Sequence, residues 1–182
     1  MGTHFTAVVN HNFDERHLFN LPDLLNGTWP KVEPLLPIME GYPAPGIPPR
    51  KWEWSRRDSG FNRLWTTQHT AALESYEFSG IVSKHVFRVC HGVRWSTFLK
   101  DQTVRSKLRK VCQHLASVLG SDQIVYLPNG FLKPEGAISL MYEGKGVKDM
   151  VDWLRENCGP AAQSVDSFRD EELENWYYIE KL

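Results

Sequence analysis

Acid–base chemistry needs a group that titrates near neutrality and a charged neighbour to tune it. In this chain the residues that could supply both lie in one stretch, LESYEFSGIVSKHVFRVCHGVRW, which holds Glu77, His85, His91 and Arg94. If two strands pair across Gly80–Ser83, Glu77 approaches His85. That makes a His–carboxylate pair of the kind that activates a general base. The same pairing also describes a cross-strand polar contact on a wet sheet face. The plain contact is the leading reading. A small hydrolase or nuclease-like enzyme using these four residues is the alternative.

Other chemistries find less support. The histidines are His4, His11, His17, His69, His85, His91 and His114. No two have the i, i+4 spacing of a helical zinc site, and no Cys/His cluster has structural-zinc spacing, so no metal is expected. Cys90, Cys112 and Cys158 are widely spaced, without a CxxC, and read as reduced thiols of a cytosolic protein. Cys90 and His91 are neighbours on one predicted strand and point to opposite faces, so they cannot act as nucleophile and base. No nucleophile elbow, dinucleotide fingerprint or P-loop occurs, and no cofactor is expected.

Binding is the function that remains. The acidic run Asp170, Glu171, Glu172 and Glu174 suits a basic protein partner. Trp52 and Trp54, beside a proline-rich segment, form a second candidate contact. The period-two pattern of KWEWS also reads as a strand with both tryptophans packed on one face. Arg105, Lys107, Arg109 and Lys110 read as the solvated face of a helix, with docking of an acidic partner as the sharper reading. With 21 basic and 22 acidic residues the net charge is −1, which argues against a nucleic-acid partner. No apolar run approaches the about 18 residues that span a bilayer. MGTHFTAVVNHNFDE lacks the basic start and continuous apolar core of a signal peptide. The expectation is a cytoplasmic protein with no membrane partner.

These residues need a scaffold, and the sequence predicts one. Its 182 residues fit a single domain spanning 1–182, and 41% hydrophobic residues supply its core. Thr3–Asn10 reads as a nearly fully buried strand, and Leu18–Leu25 as a short helix stopped by Gly27. Seven of the eleven prolines fall between Pro30 and Pro49 and predict helical turns followed by an extended surface loop over about 30–50. Two or three strands follow, with breaks at Ser79–Gly80 and Ser83–Lys84. Asp101 is placed to cap a helix over about 102–119, with an apolar stripe at Val104, Leu108, Val111, Cys112, Leu115 and Leu119 and a stop at Gly120. QIVYLPN is a strand that Pro128 ends. KPEGAISLMYEG reads as a short helix, Val147–Asn157 as a second long amphipathic one, and WYYIEKL as a last strand. The fold class is therefore α+β, a mixed or mostly antiparallel sheet of about four to six strands, packed on one face by the two long helices.

The stretch RWSTFLKDQTVRSKLRKVCQHLASVLGSDQIVYLPNG, and WLRENCGPA after it, resemble small bacterial proteins of the polymorphic-toxin immunity type. The shared features are an Arg-Trp, a Phe-Leu pair, a helix ending in Leu-Gly, and a strand closing as Tyr-Leu-Pro-Asn. The resemblance covers about 90 residues. It implies a protein that neutralises a cognate toxin domain by direct binding and has no catalytic residues to carry over.

Overall fold

The strand nearest the N-terminus turns neither face to water over its middle, and the fold is built around it. The computed structural model describes residues 3–14, 17–18, 20–32, 38, 53–56, 70–75, 77–130, 133–165 and 176–182. In β1 (His4–Asn10) every residue from Phe5 to Val9 is buried. A strand buried at both parities needs cover on both sides of its sheet, and the remaining elements provide it. They are α1 (Leu21–Asn26), β2 (Ser55–Arg56), β3 (Ala71–Glu74), β4 (Phe78–Val82), β5 (Val86–Arg94), α2 (Trp95–Lys100), α3 (Gln102–Leu119), β6 (Gln123–Asn129), α4 (Gly136–Tyr142), α5 (Val147–Cys158) and β7 (Tyr178–Lys181).

The strands form one sheet in the order β2-β3-β4-β5-β1-β6-β7, and every ladder is antiparallel. The α+β class holds. Among the described residues the strands number seven, above the four to six expected, and the strand expected at KWEWS is found as β2, whose two exposed residues Ser55 and Arg56 pair with β3. Ser79–Gly80 is not a break but the middle of β4. A Cβ on Gly80 would sit 2.8 Å from the Phe87 ring and 3.2 Å from that of Trp54. Glycine is there so that two aromatic rings can lie against the strand.

The two faces of the sheet carry separate cores. Phe5, Ala7, Val9, Phe87, Val89, Ile124 and Tyr126 join α1, α2 and α3 in one. Val8, Val86, Val125 and Leu127 join α4 and α5 in the other. The two long helices therefore lie on opposite faces of the sheet, not on one. The near-continuous apolar runs of β1 and β6 leave no face for water, and one helical layer could not have covered them.

Local signals behave as their chemistry dictates. The Asp101 carboxylate accepts from the N–H groups of Thr103 (2.9 Å) and Val104 (3.0 Å) and starts α3. Gly120, at φ 71°, ends it in the left-handed region. The expected apolar stripe of α3 is buried throughout. Val147, Met150, Val151 and Leu154 bury the stripe of α5. Pro128 does not end β6: the strand runs one residue further, with Phe5 opposite Pro128. On its other side β7 pairs only with Gln123–Tyr126. The missing proline N–H thus falls where β6 is already an edge. The three cysteines are unpaired; Cys112 is buried, and Cys90 and Cys158 are half-buried. Most of the proline-rich segment lies outside the described residues, but Ile38 within it is buried in the first core.

Candidate functional site

The β4–β5 hairpin decides what Glu77, His85, His91 and Arg94 can do. Ser83 N–H donates to the Val86 carbonyl (2.8 Å) and closes a tight turn that holds Lys84 and His85. The turn sets the register Val82↔Phe87 through Phe78↔His91. Glu77, one residue before β4, therefore arrives beside His91, at the far end of the hairpin from His85. The expected Glu77–His85 pair is replaced by a Glu77–His91 pair. His85 is exposed in the turn, and Arg94 is exposed opposite His4, where β5 passes into α2. The structure brings two of the four together and leaves the other two elsewhere on the surface.

The pair is sealed. His91 Nε2 lies 3.3 Å from Glu77 Oε2, with side-chain exposures of 2% and 0%. His91 Nδ1 accepts the Val93 N–H at 3.0 Å, so the ring proton resides on Nε2 and points at the carboxylate. Glu77 Oε2 also accepts the Ile38 N–H at 2.8 Å. Oε1 is buried with no hydrogen-bond partner. The Phe78 ring packs over the imidazole with centroids 5.0 Å apart. The carboxylate thus joins three separate parts of the chain: the approach to β4, the strand β5 and the proline-rich segment at Ile38.

A second histidine holds the other end of the hairpin. His11 Nε2 donates to the Ser83 carbonyl (2.8 Å), its Nδ1 accepts the Phe13 N–H (3.3 Å), and its backbone N–H reaches the His85 carbonyl (3.1 Å). Burial holds its pKa below the ordinary histidine value, against the pull of the Ser83 carbonyl. The neutral ring is what this geometry requires.

Of the candidate partner contacts, Trp54 is spent in the core. It is 2% exposed and meets Trp29 edge-on at 5.2 Å and Phe87 at 5.8 Å. Both backbone groups of Trp54 are matched by one side chain, with Asn26 Oδ1 accepting its N–H (2.6 Å) and Asn26 Nδ2 donating to its carbonyl (2.9 Å). Its assignment as a surface contact is corrected on those grounds: the space that Gly80 vacates is filled by this indole and by Phe87. Trp52, Asp170, Glu171, Glu172 and Glu174 lie outside the described residues. Val165 and Trp176, which flank the acidic run, are both buried.

The most elaborate polar cluster is one the sequence reading did not single out. Glu180 on β7 receives Arg109 Nε at 3.1 Å and Nη2 at 2.8 Å, Gln113 Nε2 at 2.5 Å, and the Tyr126 hydroxyl at 2.7 Å. Burial alone would raise its pKa, but these donors hold the carboxyl below its ordinary value. The signal was present: Arg109 and Gln113 are four residues apart and share one face of α3. It was hidden among neighbouring lysines and arginines that read as a solvated face.

Arg88 also escaped notice. It is 9% exposed, shares a sheet face with Cys90, and bonds to the Tyr142 hydroxyl at 3.4 Å. A surface groove at the α2–α3 junction is lined by Ser96, Thr97, Lys100, Asp101 and Gln102, with Asp101 committed to its cap. Among the described residues no group of three His, Cys, Asp or Glu could hold a metal, and no helix is long and apolar enough to cross a membrane. Comparison with protein-family models, curated proteins and solved structures finds no match to this chain.

Proposed function

We propose that this protein acts by binding another protein, in the manner of a cytoplasmic immunity protein that neutralises a toxin domain, and that charge complementarity guides the encounter. The observation that carries this reading is the state of the Glu77–His91 pair. A general base must reach the proton it removes. This pair has almost no accessible surface, and its carboxylate is engaged by the Ile38 backbone. Its chemistry serves the fold. The strongest concentration of like charge in the sequence, Asp170, Glu171, Glu172 and Glu174, lies between two buried anchors, Val165 and Trp176. Such a run favours a basic partner and accelerates association through long-range attraction.

Affinity capture from the native host tests this reading. The bait is wild-type chain beside the variant D170N/E171Q/E172Q/E174Q. The expected result is a basic protein that the wild type retains at low salt and loses as salt rises, and that the variant captures at least tenfold less well. Equal capture by both chains, with equal salt dependence, would overturn the assignment of the acidic run.

A further inference from the structure

A buried histidine joins the β4–β5 turn to the end of β1. His11 directly follows β1 and is 1% exposed. Both of its ring nitrogens are committed: Nε2 donates to the Ser83 carbonyl at 2.8 Å, and Nδ1 accepts the Phe13 N–H at 3.3 Å. His91 has the same arrangement at the far end of the hairpin, with Nδ1 accepting an N–H two residues on and Nε2 donating outward. The difference is what Nε2 faces. For His91 it is a carboxylate, and for His11 it is a neutral carbonyl. The charged groups around His11 give it no counter-ion. The turn brings Lys84 and His85, both exposed, and a charged His85 repels a charged His11. On the segment after β1, Asp14 is engaged by His17 at 2.8 Å, and the Phe13 ring stacks on His11 with centroids 5.7 Å apart. At the start of α5, beside His85, the Asp149 carboxylate accepts the Gly146 N–H at 3.0 Å. The Asn10 and Ser121 side chains on the β6 side are neutral and bond to each other. Among the described residues no carboxylate pairs with the His11 ring.

We propose that His11 is an acid-sensitive latch, and that a proton on Nδ1 releases residues 11–13 and the turn at 83–86 from each other while the rest of the sheet stays folded. Protonation turns the Nδ1 acceptor into a donor aimed at the Phe13 N–H, so that bond is lost. The ring then carries a buried charge with a single neutral acceptor, which is costly. Opening returns the ring to water, at the expense of the Ser83 bond and the bond from the His11 N–H to the His85 carbonyl. Burial holds the His11 pKa below its ordinary value of 6.5, and an opened ring regains that value. The latch is therefore fully closed above about pH 6.5 and loosens as pH falls below it.

Amide hydrogen exchange of the whole chain, followed by NMR and expressed as protection factors, tests this. Between pH 7.5 and pH 5 the amides of His11, Phe13 and Ser83 are expected to lose protection at least tenfold. Those along the β1–β6 ladder are expected to change less than twofold. His11→Gln offers an amide donor to Ser83 and cannot take up the proton, so its protection at Ser83 should be flat over this range. His85→Gln, which removes only the exposed histidine of the turn, should keep the wild-type fall. Should His11→Gln fail to fold, the wild-type comparison and His85→Gln decide the matter. An equal fall in the turn and in the ladder, no fall at all, a fall that persists in His11→Gln, or one abolished by His85→Gln would overturn the proposal.

Discussion

Among the described residues two carboxylates are buried, and they are buried in different ways. Glu180 has a cation: Arg109 grips both of its oxygens, and Gln113 and Tyr126 complete the set. Glu77 has neutral donors, the His91 Nε2–H and the Ile38 N–H on one oxygen, and no partner on the other. The first is a clamp assembled from α3, β6 and β7, and it fixes the last strand of the chain onto the sheet. The second is a latch between irregular segments and a strand. A buried charge with a bidentate partner is strongly sensitive to loss of either member, whereas a buried charge held by neutral donors loses little when the charge itself is removed. A histidine beside a carboxylate is therefore a poor guide to catalysis until its access to solvent is known.

The comparison can be broken most easily at Glu180. Glu180→Gln puts an amide N–H against one of the donors that the carboxylate accepts, and it leaves Arg109 without its counter-charge. The expected loss is about 2 kcal/mol, at the lower end for a buried pair because the Arg109 side chain is 35% exposed. Urea unfolding should show a lower midpoint with an unchanged slope. The same variant should alter the acid limb. A carboxyl whose folded pKa lies below its unfolded value stabilises the protein above about pH 4.5. That contribution is lost as pH falls through the folded value. Wild-type stability should thus decline below pH 4.5 more steeply than that of Glu180→Gln. Parallel declines would show that the clamp is not the acid-sensitive element.

The smaller effect is at Glu77. In Glu77→Gln the amide oxygen can accept from both His91 and Ile38, and the NH2 group takes the position of the unpartnered Oε1. The expected change in stability is within about 1 kcal/mol, well under the loss at Glu180. A loss as large as that at Glu180 would mean that Glu77 has a cationic partner and that the two sites are alike.

The contrast also explains what the sequence disclosed. Elements set by local chemistry were legible: the Asp101 cap, the left-handed Gly120, the apolar stripes of α3 and α5 and the final strand all stand where their residues place them. Layering was partly legible. β1 was readable as buried on both sides, yet the two long helices were assigned to one face; the apolar residues at both parities of β1 and β6 were the evidence against that. The sites were least legible, because they depend on register and on distant pairings. A hairpin turning at Ser83–His85 moves Glu77 from His85 to His91, and nothing local announces it. Glu180 meets Arg109 across 71 residues, and Ile38 meets Glu77 across 39. The period-two pattern of KWEWS already read Trp54 as packed on one face, but only Gly80 shows where its ring goes.

The central claim is that the Glu77–His91 pair is sealed within the fold and serves it. Diethylpyrocarbonate modification of the folded chain, resolved by peptide mass spectrometry, tests this most directly. The exposed residues His4, His17 and His85 should be modified readily, and His91 should remain unmodified until the chain is unfolded. Modification of His91 in the folded protein at a rate close to that of His85 would contradict the account and return the pair to the surface as a candidate acid–base site.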